Sequence, residues 1–568
     1  MPTINRRAFL RNSMAIAASS SAFASGGNAI AAQSARAGIE SILRSTENSV
    51  TGIRLRHKKK LLQLYTQRNF APLWSVNGQY TDTCRAMVRK LDDSQQLGLH
   101  PSRYYTKILG SWLRLQESQN TRNLEVVLTD VLFEYFDNLA NGQTGKRPGD
   151  SDSWFARQDV TNTDDVAFNF FQSSASLNDA ASQIQPVSQH YNSLLQSLKE
   201  QQTLLASGGY TKINKGPTLK PGMQDSRVIQ LRQRLKQSGD YTVSLDPSSN
   251  QFDNWVVDSL KTFQTRHGLK ADGLLGKKTL EELNTPIEKR IQQIEINLDR
   301  WRWLPKDLGQ NYIIVNTAGF EMEVVQNGYK TLDMNVVVGK PEHKTPIFSK
   351  NMQYLSFNPL WHVPKSITRK NLLPRELANP GYLKKRKFVA VSLADNKTRQ
   401  LDSFSRHELE PSTFIPQYRL MQLPGSDNAL GRVKFMLPNQ YAIYLHDTIA
   451  KNLFQRTTRA YSHGCIRVED PVKLAKALLI NEGHSEYDVE ERFNTDRTTS
   501  ARLHNPLPVH MTYQTAWVDK YNRLNFRNDI YGHDSHAIRN YQRQRPSLAE
   551  KEQELLVQQE GLVITEFF

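Results

Sequence analysis

The residues best suited to chemistry sit together at Ser462-His463-Gly464-Cys465-Ile466-Arg467, with His446-Asp447-Thr448 a short distance upstream. A cysteine beside glycine, at the end of a β segment, can be exposed and closely approached by a substrate. A thiol needs activation, because only a few per cent of it is thiolate at neutral pH. A nearby imidazole lowers its pKa and orients it, and two histidines and an arginine lie close in sequence. Three uses of this set compete. His446, His463 and Cys465 are acceptable zinc ligands, but His463 and Cys465 point the same way only on a regular strand. No acidic base stands at helical spacing from them either. A buried cysteine with satisfied histidines is the second reading. Nucleophilic catalysis by a Cys–His pair is the third, and it uses the most of the set.

These groups need a scaffold, and the surrounding pattern predicts one rich in strands. Period-2 apolar alternation marks 313–316, 334–339, 442–446 and 508–513 as strands. Directly after the cysteine motif, Asp470 as N-cap and Pro471 at the first helical position open a helix carrying Val472, Leu474, Ala475 and Leu478. Residues 311–535 therefore read as one β-rich domain. It is interrupted by a charged, proline-containing stretch at 365–422, and a stretch that long inside a compact domain reads as an active-site lid.

The N-terminal part reads differently. Residues 36–205 are helical: Leu124, Val127, Leu128, Val131 and Tyr135 form one apolar stripe, and Cys84, Met87, Val88 and Leu91 another. That spacing makes Cys84 a core residue and argues against a disulfide with Cys465. Residues 142–153 read as a loop, and Gly208-Gly209, Gly216-Pro217 and Pro221-Gly222 mark a linker. Between 223 and 284, three short helices carry Val228, Leu231 and Leu235, then Val256, Leu260 and Phe263, then Thr279 and Leu283, with turns at Gly239, His267-Gly268 and Asp272-Gly273. This segment resembles the three-helix peptidoglycan-binding domain. Residues 536–568 form a polar, helix-prone tail. The fold class expected is thus multidomain α+β: a helical scaffold, a three-helix binding domain and a β-rich catalytic domain with an inserted lid.

Composition narrows the partners. The 568 residues hold 73 Lys+Arg against 56 Asp+Glu, a formal net charge of +17, with 38% hydrophobic residues. That is enough apolar content for packed cores. No run of 18 strongly apolar residues exists, which excludes a polytopic membrane protein. Two cysteines exclude a disulfide framework and a zinc ribbon. A basic surface attracts polyanions, yet no zinc-finger, homeodomain or RNP pattern occurs, so nucleic acid is not the expected partner. The first 31 residues supply Arg6-Arg7, Phe9-Leu10, an uncharged Ala/Ser-rich run, and the A-x-A sites at Ala22 to Ala24 and Ala29 to Ala31. They resemble a twin-arginine export signal; a Sec signal or an uncleaved anchor is the alternative, and each leads out of the cytoplasm. The expected location is the periplasm, where wall carboxylates and phosphates replace nucleic acid as polyanions.

The spacing of His446 and Ser462-His463-Gly464-Cys465 resembles the YkuD-type L,D-transpeptidase motif. The resemblance extends through Pro424-Gly425, Asn428 to Gly431, Lys434-Phe435, Ile443 to Thr448 and Arg459-Ala460. It continues in Asn358 to Pro364 and Tyr513 to Trp517. Leu64 to Arg68 and Pro72 to Trp74 resemble the large multidomain YcbB-like branch. Arg467 stands where many members of the wider family carry Asn. The resemblance implies Cys465 as nucleophile and His446 as its base. It implies His463 and the amides around Gly464 and Cys465 as oxyanion donors, and Arg467 as a site-holding or carboxylate-binding group. Asp447 is a candidate to orient His446, although the family often uses a backbone carbonyl there. Tyr444, Ser462, Asp447 and Trp361 are the expected substrate-binding residues. The implied reaction is acyl transfer from a tetrapeptide stem through a Cys465 thioester to an amine on a second stem, giving a 3→3 cross-link without cofactor or metal. Hydrolysis of that thioester, anchoring of a lipoprotein, or a non-catalytic wall-binding scaffold are the alternatives. Peptidoglycan-synthesis enzymes and a D,D-carboxypeptidase that trims pentapeptides are the partner classes expected.

Overall fold

The computed structural model describes residues 25–115, 118–143, 161–172, 176–241, 248–495, 497–539, 552–554 and 556–557. Residues 1–24 of the expected signal, most of the 142–153 loop and most of the 536–568 tail lie outside the described residues. Seven helices build the N-terminal core: α1 (Ser25–Arg44), α2 (Lys58–Gln67), α3 (Asp82–Asp92), α4 (Thr106–Leu115), α5 (Ser118–Asn141), α6 (Asp164–Gln172) and α7 (Leu177–Ser182). The stripe on α5 is buried as expected, but so are its flanks, which carry Glu125, Asp130 and Glu134. Those carboxylates are tolerated because each is bonded, as buried polar groups must be. Asp130 accepts the amides of Arg56 and His57 at 3.0 and 2.7 Å, and Glu134 pairs with Arg56 and Arg103 at 2.8 and 2.6 Å. A stripe count sees only the apolar side of such a helix. Cys84 is fully buried on α3, and burial pushes its thiol up to about 12. Both cysteines are free.

Helix α8 (Gln189–Ala206) leaves this core and packs against α12 (Ile287–Arg302), on the outer side of the catalytic domain. Between them lie α9 (Arg227–Gln237), α10 (Asn254–Arg266) and α11 (Lys277–Leu283), a three-helix unit with its own core of Val228, Leu231, Val256, Leu260 and Phe263. Gly268 ends α10 at φ +64°, a left-handed position suited to glycine. This unit docks on the hairpin β14 (Ala516–Val518) and β15 (Leu524–Phe526): Arg527 donates to the Arg266 carbonyl at 2.7 Å, and His267 lies 5.5 Å from the Phe526 ring.

The catalytic domain begins with β1 (Tyr312–Asn316), β2 (Glu321–Gln326), β3 (Tyr329–Gly339) and β4 (Phe348–Phe357). After the inserted segment come β9 (Val433–Met436), β10 (Leu445–His446), β11 (Ala460–Ser462), β12 (Ile466–Val468) and β13 (Thr499–Thr512). Their order is β11-β3-β12-β10-β9-β4-β13-β1-β2, and β2 pairs again with β3, so the sheet closes on itself. Helices α13 (Pro471–Ile480) and α14 (Glu486–Asn494) join its core through Leu474, Leu478 and Val489. Asp470 caps α13 by accepting the Lys473 amide, as its sequence predicts. The strand expected over 442–446 shortens to Leu445–His446. Ala442 sits at φ +53°, and the Asn439 side chain takes the amides of Tyr441 and Ile443 that a ladder would otherwise use.

The stretch read as a lid is itself folded. Strands β5 (Trp361–His362), β6 (Phe388–Ser392), β7 (Thr398–Gln400) and β8 (Tyr418–Gln422) form a separate sheet, β7-β6-β8-β5, over a core of Leu373, Leu383, Leu401, Phe414 and Leu420. The two crossing points of this insertion are tied together by Asn428, whose side-chain amide donates to the carbonyls of Pro359 and Leu423 at 3.0 and 3.1 Å. At the far end of the chain, Glu552 accepts the Lys107 amide at the start of α4, and Leu556 packs on the N-terminal core.

Candidate active site

Register alone gathers the chemistry onto one face. In β10 and β12 the pairs are Leu445 with Ile466 and His446 with Arg467, while β9 sets Phe435 beside Leu445 and Lys434 beside His446. Phe435, Leu445 and Ile466 are fully buried in the core. Because side chains alternate along a strand, Lys434, His446 and Arg467 must share the outer face, and Tyr444 and Cys465 join them two residues away.

Cys465 occupies the turn between β11 and β12 and is half-buried. That turn needs Gly464, which sits at φ +117° with its α-carbon facing Ile443, so any side chain would be strained and crowded. Ser462 fixes the turn from below: its hydroxyl donates to the Cys465 carbonyl at 2.6 Å and accepts the Gly464 amide at 3.0 Å. Thr345 holds it from the side, donating to the Gly464 carbonyl at 2.8 Å, and the Lys340 amide donates to the Ser462 carbonyl at 3.0 Å.

The thiol donates toward the Ala442 carbonyl at 3.7 Å. Burial pushes its pKa up; hydrogen bonds from the Tyr444 amide and hydroxyl and the charges of Lys434 and Arg467 pull the other way without prevailing. Tyr444 is raised in turn, first by burial and then by the sulfur beside it. The Lys434 ammonium lies 4.3 Å from the Tyr444 ring centroid, and burial lowers its pKa. His446 is 5% exposed, and burial together with Arg467 holds it down at about 3. Its Nδ1 bonds the Asp447 carbonyl at 2.5 Å. A neutral imidazole with Nδ1–H donated to a carbonyl leaves Nε2 as the basic nitrogen. The resting pair is therefore a neutral thiol and a neutral imidazole, where the sequence pattern alone points to an imidazole-lowered thiol. Desolvation disfavours the charged form of each group by more than a thiolate–imidazolium pair would regain by its mutual attraction.

Several expected roles change. The Asp447 carboxylate does not orient His446 and is 7% exposed. It accepts the amides of Arg432 and Thr448 and pairs with Lys451 at 2.8 Å, while its carbonyl does the orienting. Ser462, expected to bind substrate, is 2% exposed and spends its hydroxyl on the turn. Of the two amides expected to meet an oxyanion, that of Gly464 is already engaged by Ser462 at 3.0 Å. Trp361 packs on the insertion's core beside Phe388; its neighbour His362 is the residue that feels the Lys434 charge. His463 is exposed and stacks on His343 at 4.9 Å, so it stands at the rim of the turn. The Arg467 guanidinium faces Cys465 and His446, and its Nε is buried without a partner among the described residues. No three His, Cys, Asp or Glu side chains gather at metal-binding spacing among the described residues.

Lys434, Thr345 and His343 were not among the expected site residues. Only Lys434 had a readable signal, the alternation Val433-Lys434-Phe435 next to the strand of His446.

Residues 310–490 match the YkuD L,D-transpeptidase catalytic domain. The chain carries that domain. Residues 59–198 match a scaffold domain, and 224–283 a peptidoglycan-binding domain. A Haemophilus influenzae protein named for L,D-transpeptidase activity is 32% identical over 295 residues, 51% of this chain and 59% of the relative's length. Among solved structures, an L,D-transpeptidase from Mycobacterium smegmatis is 12% identical, covering 36% of this chain and 58% of that one, with a TM-score of 0.17. One from Xylanimonas cellulosilytica is 13% identical over 53% of this chain and all of that one, with a TM-score of 0.15. Within the transpeptidase domain the matched span holds every group of the outer-face cluster, from Lys434 to Arg467.

Proposed function

We propose that this protein is an exported peptidoglycan L,D-transpeptidase that forms 3→3 cross-links in the periplasm. The observation that carries the reading is the single sheet face shared by Cys465, His446, Tyr444, Lys434 and Arg467, inside a transpeptidase domain and beside a peptidoglycan-binding domain. Cys465 attacks the carbonyl carbon of the third residue of a donor tetrapeptide. As the C–S bond forms, His446 Nε2 takes the thiol proton, so no preformed ion pair is needed. The tetrahedral oxyanion is met by the Cys465 amide. His446 then returns the proton to the departing nitrogen, the C–N bond to the terminal D-alanine breaks, and a thioester remains. The side-chain amine of a diamino acid on a second stem attacks this thioester, loses a proton to His446, and expels the sulfur. Lys434, Arg467 and the Tyr444 hydroxyl stabilise the negative sulfur in both halves, and the unpartnered Arg467 Nε suits a stem carboxylate.

The folded insertion, tied at Asn428 next to the Asp447 loop, is suited to excluding water from the thioester, which favours transfer over hydrolysis. The test is mass spectrometry of disaccharide-tetrapeptide incubated with the purified protein and with Cys465→Ala. Cys465-dependent loss of D-alanine with a cross-linked dimer is the expected result. Loss without dimer indicates a carboxypeptidase, and no Cys465-dependent change in a folded protein refutes the reading.

A further inference from the structure

A large cavity lies away from Cys465, on the outer wall of the same sheet. It measures about 850 Å³ and is enclosed by β1, β2 and β3, the first turns of α8, and the β14–β15 hairpin. That volume is at the upper end for small-molecule sites. It exceeds what a single amino acid would fill.

The wall carries two polar groups with nothing to bind. Gln514 lines the cavity at 2% exposure, and among the described residues neither its side-chain oxygen nor its nitrogen has a partner. An unsatisfied buried amide is costly, and this one offers a donor nitrogen with two N–H groups beside an acceptor oxygen. Glu321, on β2, faces the same space. The neighbouring carboxylates are taken, Glu323 by His190 and Lys330 and Asp333 by Lys520. The Glu321 carboxylate makes no ion pair or hydrogen bond among the described residues. Burial raises it to about 7, against the pull of Arg527, Lys330 and Arg459. Aromatic rings complete the lining: Trp301 stacked on His190 at 5.2 Å, and Tyr312, Trp517 and Tyr521.

The guanidinium groups near Glu321 repel a cationic ligand, whereas a hydroxyl can donate to the carboxylate without opposing them. The orphan Gln514 amide matches an acetamido group, which carries one donor and one acceptor. Rings on the wall suit the apolar faces of pyranoses. We propose that this cavity is a saccharide subsite, binding a short stretch of N-acetylated pyranose rings. The proposal rests on the peptidoglycan reading for its choice of sugar. Asn335, at one end of the cavity, is two residues along β3 from Val337, the partner of Arg467. That is about 7 Å of strand, close enough for a stem on the bound glycan to approach the catalytic face.

The test is calorimetric titration of the full-length Cys465→Ala protein with a β-1,4-linked N-acetylglucosamine tetrasaccharide, so that binding is read independently of catalysis. Glu321→Ala, which removes the free acceptor, is expected to weaken one binding event about tenfold. Ser193→Trp, which fills the cavity from α8 without removing a wall contact, is expected to abolish the same event. Both variants should keep the parent melting temperature. Absence of tetrasaccharide binding, an isotherm unchanged by both substitutions, or Glu321-dependent binding of N-acetyl-lysine in place of the sugar would each overturn the proposal.

Discussion

Replacing Lys434 by methionine tests how the nucleophile is activated. The lysine stem lies beside His446 on β9, and its ammonium sits over the Tyr444 ring that bonds the sulfur. Methionine keeps most of the stem's bulk and removes the charge. Lys434 and Cys465 are separated by one intervening strand, roughly 10 Å at the backbone. At about 8 Å between charges and an effective dielectric of about 20, a unit charge is worth roughly 2 kcal/mol to the thiolate. Solvent screening at a half-buried sulfur reduces this to about 1 kcal/mol or somewhat more, a factor of roughly five to ten in thiolate population. The assay is the rate of iodoacetamide alkylation against pH. Cys84 stays silent, because it is fully buried with its thiol pushed up to about 12. The wild-type midpoint should already lie above that of a free cysteine, since burial raises Cys465. Lys434→Met should move the profile further to alkaline pH and slow the neutral rate about tenfold, with the high-pH plateau retained. His446→Ala should leave the alkylation profile nearly unchanged while cutting transpeptidation at least about a hundredfold. A wild-type midpoint below that of free cysteine, or a large acid-ward dependence on His446, would refute the neutral-pair reasoning and restore a thiolate–imidazolium pair.

Further outcomes follow from the same geometry. Asp447→Asn should retain most activity, because the backbone carbonyl holds His446, while thermal denaturation should show a loss of about 1–3 kcal/mol from the Arg432, Thr448 and Lys451 contacts. Gly464→Ala should abolish turnover in the stem assay even where circular dichroism shows a native fold, since φ +117° and Ile443 both oppose a methyl group there. Stability should fall with acid. His446, His510 and His533 are buried and held at about 3, about 4 and about 2, below the unfolded value of about 6.5. The unfolded chain takes up their protons first, so stability is whole above about pH 6.5 and declines below it. By pH 5 the loss is about 2 kcal/mol for each. Glu125 and Glu321, raised by burial to about 7, gain protons in the folded chain over the same range and offset part of this loss. The check is therefore His510→Asn, which should remove about 2 kcal/mol of the histidine-driven decline between pH 7 and pH 5; an unchanged pH dependence would contradict the burial of a neutral ring there.

The sequence was most legible where one periodicity met one special residue. Asp470-Pro471 could only open a helix, and it does so at the end of the cysteine motif. Gly464 and Cys465 announced a close-approach turn, and the turn is there. What could not be read was direction. Ser462 and Asp447 looked like pocket residues by type, yet both are turned inward, because the Gly464 amide and the amides of Arg432 and Thr448 need acceptors more than the cleft does. Backbone demands of that kind leave no mark on a residue pattern, since any local acceptor satisfies them. The insertion was obscure for a related reason. Its apolar residues, from Leu373 to Leu420, are spread among short helices and strands too brief to show a period, so charge and proline dominated its appearance while its core stayed hidden. The neutral state of the Cys465–His446 pair was the least legible of all. Residue types predict attraction between a thiol and an imidazole, but the outcome depends on how much water each has lost, and only the packed sheet sets that.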